Sequence, residues 1–198
     1  MDSTALNMPM SAGSLINRAI LRLIGWKLVG KRPEHARYVM VGAPHTSNLD
    51  FFLFLLLIGG FDVKAYWIGK DSLFHGLLGK ILSGLRGIPV NRRASTGFVK
   101  QMTDIFAKHK EIVIAIAPEG TRQLTKLWKT GFYYIALNAQ VPIAMGFLDS
   151  KRKEVGFGPT LMPTGNIEAD FEIIREFYQE KVGLNPAQQG MVKIKDTL

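Results

Sequence analysis

Tyr38-Val39-Met40-Val41-Gly42-Ala43-Pro44-His45-Thr46-Ser47-Asn48-Leu49-Asp50 decides the fold. Residues 38–41 are apolar and read as a short strand that delivers Ala43-Pro44-His45. Ser47-Asn48-Leu49-Asp50 then has the spacing of a capping box, which starts a helix through the Phe/Leu stretch 51–58. The spacing therefore puts His45 at a strand end and Asp50 in the first helical turn, where the two side chains can meet. A neutral imidazole near pH 7 can take a proton from an alcohol, and a nearby carboxylate can fix its tautomer. This is two thirds of a Ser-His-Asp apparatus, yet no G-x-S-x-G motif occurs anywhere in the chain. The pair reads as a base that activates a substrate's own hydroxyl. Asp50 also has a structural alternative, bonding a backbone amide at the helix start.

Working outward, strands are expected at 26–29, 63–68, 88–90, 112–116 and 141–147, and at 154–157 on a sheet edge. Helices are expected at 73–85, 97–110, 132–138 and 168–181. Strands alternating with helices predict an α/β fold with a largely parallel or mixed central sheet flanked by helices. Residues 1–12 read as a disordered N-terminus, 13–185 as a single domain, and 186–198 as a loose C-terminal tail. Within 15–24, Leu15, Ile16, Ala19, Ile20, Leu23 and Ile24 share one helical face, while Arg18 and Arg22 fall on the other. Trp26, Lys27, Lys31 and Arg32 follow. That is the composition of an interfacial membrane helix, and equally of a surface helix packed on its own core.

The chain has 198 residues, 47% apolar and 21% charged, enough for one full core. It has no cysteine, which excludes disulfides, thiolate catalysis and cysteine-ligated zinc. The net charge of +9 favours a polyanionic partner, either nucleic acid or an anionic membrane surface. Stretch 51–58 is about half of the roughly 20 residues a membrane span needs. Its residues are expected mostly in the core. The first residues are polar, include Asp2 and lack the basic start of a signal peptide.

Strand 112–116 runs into Ala117-Pro118-Glu119-Gly120-Thr121-Arg122, where ligands of open α/β sheets sit. Gly87-Ile88-Pro89-Val90-Asn91-Arg92-Arg93 places two arginines after another strand. Arginine forks bind phosphate oxygens, at roughly 1.5–3 kcal/mol per charge-assisted bond. Each loop alone also reads as a solvated turn.

The order His-x4-Asp, Gly-Ile-Pro-Val-Asn-Arg, Pro-Glu-Gly-Thr-Arg, Val141-Pro142-Ile143 resembles the four motif blocks of the 1-acylglycerol-3-phosphate acyltransferase family. Lys70 and Trp128-Lys129-Thr130-Gly131 also look like family positions. The resemblance spans about 26–147. It implies a glycerolipid acyltransferase-like fold and acyl transfer from a thioester, acyl-CoA or acyl carrier protein, to a lysophospholipid hydroxyl. On it His45 is the general base and Asp50 its orienting partner. Arg92, Glu119, Gly120, Thr121 and Arg122 shape the acceptor site, with Lys70 and Lys129 as further phosphate contacts. Glu119 cannot bind phosphate favourably, so it would bond an acceptor hydroxyl or hold an arginine. No metal and no bound cofactor is expected, since the thioester is already activated.

Three departures mark a divergent branch: Pro44 where many relatives have asparagine, Asn91 for aspartate, and Ala117 for phenylalanine. The resemblance implies lysophosphatidic acid as the first acceptor, and the departures open lyso-ornithine lipid, lysophosphatidylglycerol or another amphiphilic alcohol beside it. Phe54, Leu57, Ile58, Leu77, Leu78 and Leu82 are available to hold an acyl chain. The expected setting is cytoplasmic, peripheral to the cytoplasmic face of a membrane. Attachment would run through the N-terminal helix, the basic surface and apolar surface near 51–61. A non-catalytic lipid-binding protein of the same fold is the competing reading. A nucleic-acid module rests on charge alone, because no motif for it is present.

Overall fold

Strand and helix alternate into one mixed sheet with helices on both faces. The computed structural model describes residues 11–90 and 97–194. The strands are β1 (Lys27–Val29), β2 (Arg37–Ala43), β3 (Ala65–Lys70), β4 (Gly87–Val90), β5 (Ile112–Ile116), β6 (Ile143–Asp149) and β7 (Glu154–Leu161). The helices are α1 (Ala12–Leu23), α2 (Leu49–Gly60), α3 (Gly76–Gly84), α4 (Phe98–Lys108), α5 (Gly131–Ala139) and α6 (Ile167–Tyr178). The sheet order is β1-β7-β6-β2-β5-β3-β4. β6, β2, β5, β3 and β4 run parallel. β7 is antiparallel to β6, and β1 is parallel to β7.

β2 shows why its sequence is an unbroken apolar run: successive side chains enter two different cores. Val39, Val41 and Ala43 pack with Met102 and Phe106 of α4, Phe132 and Ile135 of α5, and Ile174 and Tyr178 of α6. Tyr38 and Met40 pack with Leu21 of α1 and with Leu53 and Leu57 of α2. α2 therefore follows β2 onto one face, while α5 follows the neighbouring β5 onto the other. The chain opens a crevice at the carboxyl ends of these two strands, where open α/β sheets bind ligands.

Three expectations need correction. β7 does not lie on a sheet edge, because β1 pairs outside it in register Lys27↔Glu154. The close pairing is marked by glycine: a Cβ on Gly156 would stand 2.0 Å from the Val29 carbonyl oxygen. The tail from residue 186 is not loose up to residue 194. Trp128 N–H donates to the Lys193 carbonyl at 2.7 Å, and Ile194 is buried. At the other end, Ser11 caps α1 by accepting the Ser14 N–H, so order begins before residue 13.

The apolar row of α1 does not face the core. Leu15, Ile16, Ile20, Leu23 and Ile24 are exposed, Leu23 at 86%, while Ser14 and Leu21 are buried. The Ser14 hydroxyl donates to the Gly60 carbonyl at 2.8 Å, and Arg18 Nε reaches the same oxygen at 2.8 Å. The last carbonyls of α2 need donors from outside their own helix. Ser14 and Arg18 of α1 supply them to Gly60, which turns Leu15, Ile16, Ile20 and Leu23 outward and leaves Leu21 in the core.

Candidate active site

The two motif loops nearest the crevice leave β2 and β5, and a carboxylate from each holds the backbone of the β2 loop. Asp50 is buried at the first turn of α2. Its Oδ2 accepts the N–H of Thr46 at 2.6 Å and of Ser47 at 2.7 Å. Ser47 Oγ in turn accepts the Leu49 N–H at 3.2 Å. Half of the expected capping box is therefore present: Asp50 bonds back to Ser47, whereas Ser47 Oγ takes the Leu49 and not the Asp50 amide, and the N-cap Asn48 makes no side-chain cap bond. The same Asp50 Oδ2 lies 3.4 Å from His45 Nδ1. Its Oδ1 is buried without a hydrogen-bond partner among the described residues. A carboxylate facing Nδ1 favours the tautomer with a proton there, leaving Nε2 as the basic nitrogen.

Glu119 reaches across from the β5 loop. Its Oε1 accepts the His45 N–H at 3.0 Å, a tie between residues 74 positions apart. It is 8% exposed, and its Oε2 has no hydrogen-bond partner among the described residues. Burial pushes its carboxyl from the ordinary 4.5 up to about 7, against the opposing effect of its backbone hydrogen bonds and of His45.

The loop after Glu119 folds back on itself. Gly120 has φ +65, and a Cβ there would stand 3.0 Å from the Lys129 side chain. Lys129 N–H donates to the Pro118 carbonyl at 2.8 Å. Lys129 thus lies over the Glu119-Gly120 turn. Thr121 Oγ1 accepts the Gln123 N–H at 3.2 Å, and Arg122 is exposed in the same loop. Lys70 is exposed at the carboxyl end of β3, level with Val90 of β4. Parallel strands bring all these segments out at one end of the sheet. Asn91 and Arg92 lie outside the described residues.

An apolar pocket of about 120 Å³ opens beside the histidine. His45 and Asp50 line it together with Met40, Phe51, Phe54, Leu57, Trp67, Ala115 and Val155. It runs between α2 and the sheet. Of the residues considered for an acyl chain, Phe54 and Leu57 line this pocket, whereas Ile58 is in the core. Leu77 and Leu78 are exposed on α3, and Leu82 is half-buried there. α3 packs at the β4 side of the sheet, away from the pocket lining. The Glu119–His45 contact and the pocket had no signature in the sequence, since both depend on packing between distant strands.

Residues 28–144 match the family model described as Acyltransferase. No curated protein matches the chain. Among solved structures, the crystal structure of the 1-acyl-sn-glycerophosphate (LPA) acyltransferase PlsC from Thermotoga maritima is similar in fold. Its TM-score is 0.60 at 17% identity, covering 83% of this chain and 74% of that one.

Proposed function

The chain belongs to the acyltransferase family, and on that premise we propose that it transfers a fatty acyl group from acyl-CoA or acyl carrier protein to a lysophospholipid hydroxyl. 1-Acylglycerol-3-phosphate is the foremost acceptor. The observation that carries this reading is His45 Nδ1 facing the Asp50 carboxylate at the mouth of an apolar pocket. His45 Nε2 takes the proton of the acceptor hydroxyl as its oxygen attacks the thioester carbonyl. Asp50 stabilises the imidazolium that forms. The tetrahedral intermediate then collapses, the carbon–sulfur bond breaks, and the departing thiolate recovers the proton from His45. A thioester is activated enough that positioning and deprotonation suffice, without a covalent enzyme intermediate.

The acyl chain lies in the pocket between α2 and the sheet. Arg122, Lys129 and Lys70 meet the acceptor phosphate, and so does Arg92, which lies outside the described residues. Glu119 Oε2, which has no hydrogen-bond partner among the described residues, is left to bond the acceptor hydroxyl or to hold an arginine. The acceptor is delivered from an anionic membrane surface. Among the described residues no helix is long and apolar enough to cross a membrane. Most of the large apolar side chains left exposed lie on the sheet face covered by α1 and α2 or on neighbouring α3. They include Ile16, Ile20, Leu23, Phe52, Leu77 and Ile81. α1 and α3 add only basic charges, Arg18, Arg22 and Lys80, which suits peripheral attachment to anionic lipid.

The test is product formation by the purified protein with a long-chain acyl thioester and a panel of lysolipids on vesicles, beside His45→Ala. An acylated product that vanishes in a folded variant supports the reading and names the acceptor. Turnover retained in His45→Ala sinks the base assignment. Vesicle binding without product on any acceptor favours a non-catalytic lipid-binding protein.

A further inference from the structure

Residues 182–194 lie beyond the stretch that matches the family, yet they grip both loops of the site. Asn185 N–H donates to Thr46 Oγ1 at 3.0 Å. Thr46 follows His45 directly, and its own N–H donates to Asp50 Oδ2 at 2.6 Å. Gly183 lies on the same side chain: a Cβ there would stand 2.6 Å from Thr46 Oγ1 and 3.3 Å from Pro44 Cβ. Farther on, Gln188 Oε1 accepts the Leu124 N–H at 2.9 Å. The strap is closed internally by Gln189, which accepts the Gly183 N–H at 2.7 Å and donates to the Lys181 carbonyl at 2.6 Å.

We propose that this C-terminal strap sets the position of His45, with Thr46 as the positioning residue that couples the strap to Asp50. The inference rests on the acyl-transfer reading above. Thr46 is held from two sides, its hydroxyl by the strap and its amide by the carboxylate that faces the imidazole. A shift of the strap therefore passes through Thr46 to the pair that moves the proton. General-base catalysis is sensitive to such shifts, because a misplacement of about 1 Å can cost about a hundredfold in rate. The strap also fixes the loop that follows Glu119, so the base and the proposed acceptor contacts share one support.

The experiment compares Thr46→Val, Thr46→Ser and Gly183→Ala with the wild-type chain. Each is read by kcat and KM on one donor and acceptor, and by NMR titration of the His45 ring. Valine keeps the shape of threonine and loses the acceptor, serine keeps the acceptor, and alanine at 183 crowds Thr46. Thr46→Val and Gly183→Ala should lower kcat on the order of tenfold or more, change KM less than about twofold, and displace the His45 titration. Thr46→Ser should recover most of the rate. Unchanged kcat and unchanged His45 titration in folded Thr46→Val would overturn the proposal, and so would a serine variant as impaired as valine. Should Gly183→Ala fail to fold, the Thr46 pair decides alone. A wild-type chain that acylates nothing would instead refute the acyl-transfer reading, and the His45 titration would still report the strap.

Discussion

Asp50 serves two structures with one carboxylate: Oδ2 closes the turn before α2 and faces His45. Two substitutions separate the roles. Asp50→Asn keeps an oxygen for the two amides but removes the charge beside the imidazole. It should lower kcat about 100-fold or more and leave the thermal midpoint nearly unchanged. Asp50→Ala removes the cap as well and should cost about 1–2 kcal/mol of stability besides; equal melting of the two variants would contradict this division. Glu119 makes the complementary case. Its carboxyl ionises near 4.5 when unfolded and near 7 when folded. Between those values the folded chain holds the extra proton, so its contribution to stability is full below 4.5 and is lost as pH rises through 7. Glu119→Gln keeps an acceptor for the His45 amide and does not titrate. Urea midpoints measured from pH 4.5 to 7 should fall in the wild-type chain and fall less in the variant.

α1 shows how an element can be read correctly while its orientation stays open. Its helical period is plain in the sequence, but periodicity does not say which face meets the protein. The Gly60 carbonyl decides that by drawing Ser14 and Arg18 inward. The two faces should respond differently to substitution. Leu21→Ala opens a hole in the core shared with α2 and should cost about 2–5 kcal/mol. Leu23→Glu touches nothing buried, so its effect on stability should stay within about 0.5 kcal/mol, while vesicle flotation should weaken. Flotation equal to that of the wild-type chain would remove α1 from the membrane contact. β7 was likewise legible as a strand and misplaced as an edge. Only the pairing of β1 across Gly156 shows that it is covered.

At the scale of the whole molecule, the +9 charge acts over distance and the exposed apolar side chains act on contact. Exposed charges are screened beyond about 10 Å at 0.1 M salt. Binding to anionic vesicles should therefore fall as salt rises, then level off at a residue that Leu23→Glu reduces further. Binding that disappears fully with salt would mean that the apolar face never enters the lipid. Sedimentation with vesicles across a salt series reads both contributions.

The amino-acid sequence by itself determined the α/β class, the central strands and the two ends of the His45–Asp50 unit. These depend on local patterns: apolar runs, a capping box, and short spacings that bring neighbours together. It also determined which loops carry glycine, acid and arginine. Tertiary structure alone decided that Glu119 braces the His45 backbone, that α1 turns its apolar row outward, and that residues 182–194 grip Thr46. Each of these joins groups far apart in the chain. Each is settled by which buried donor or acceptor finds a partner after the sheet and helices have packed.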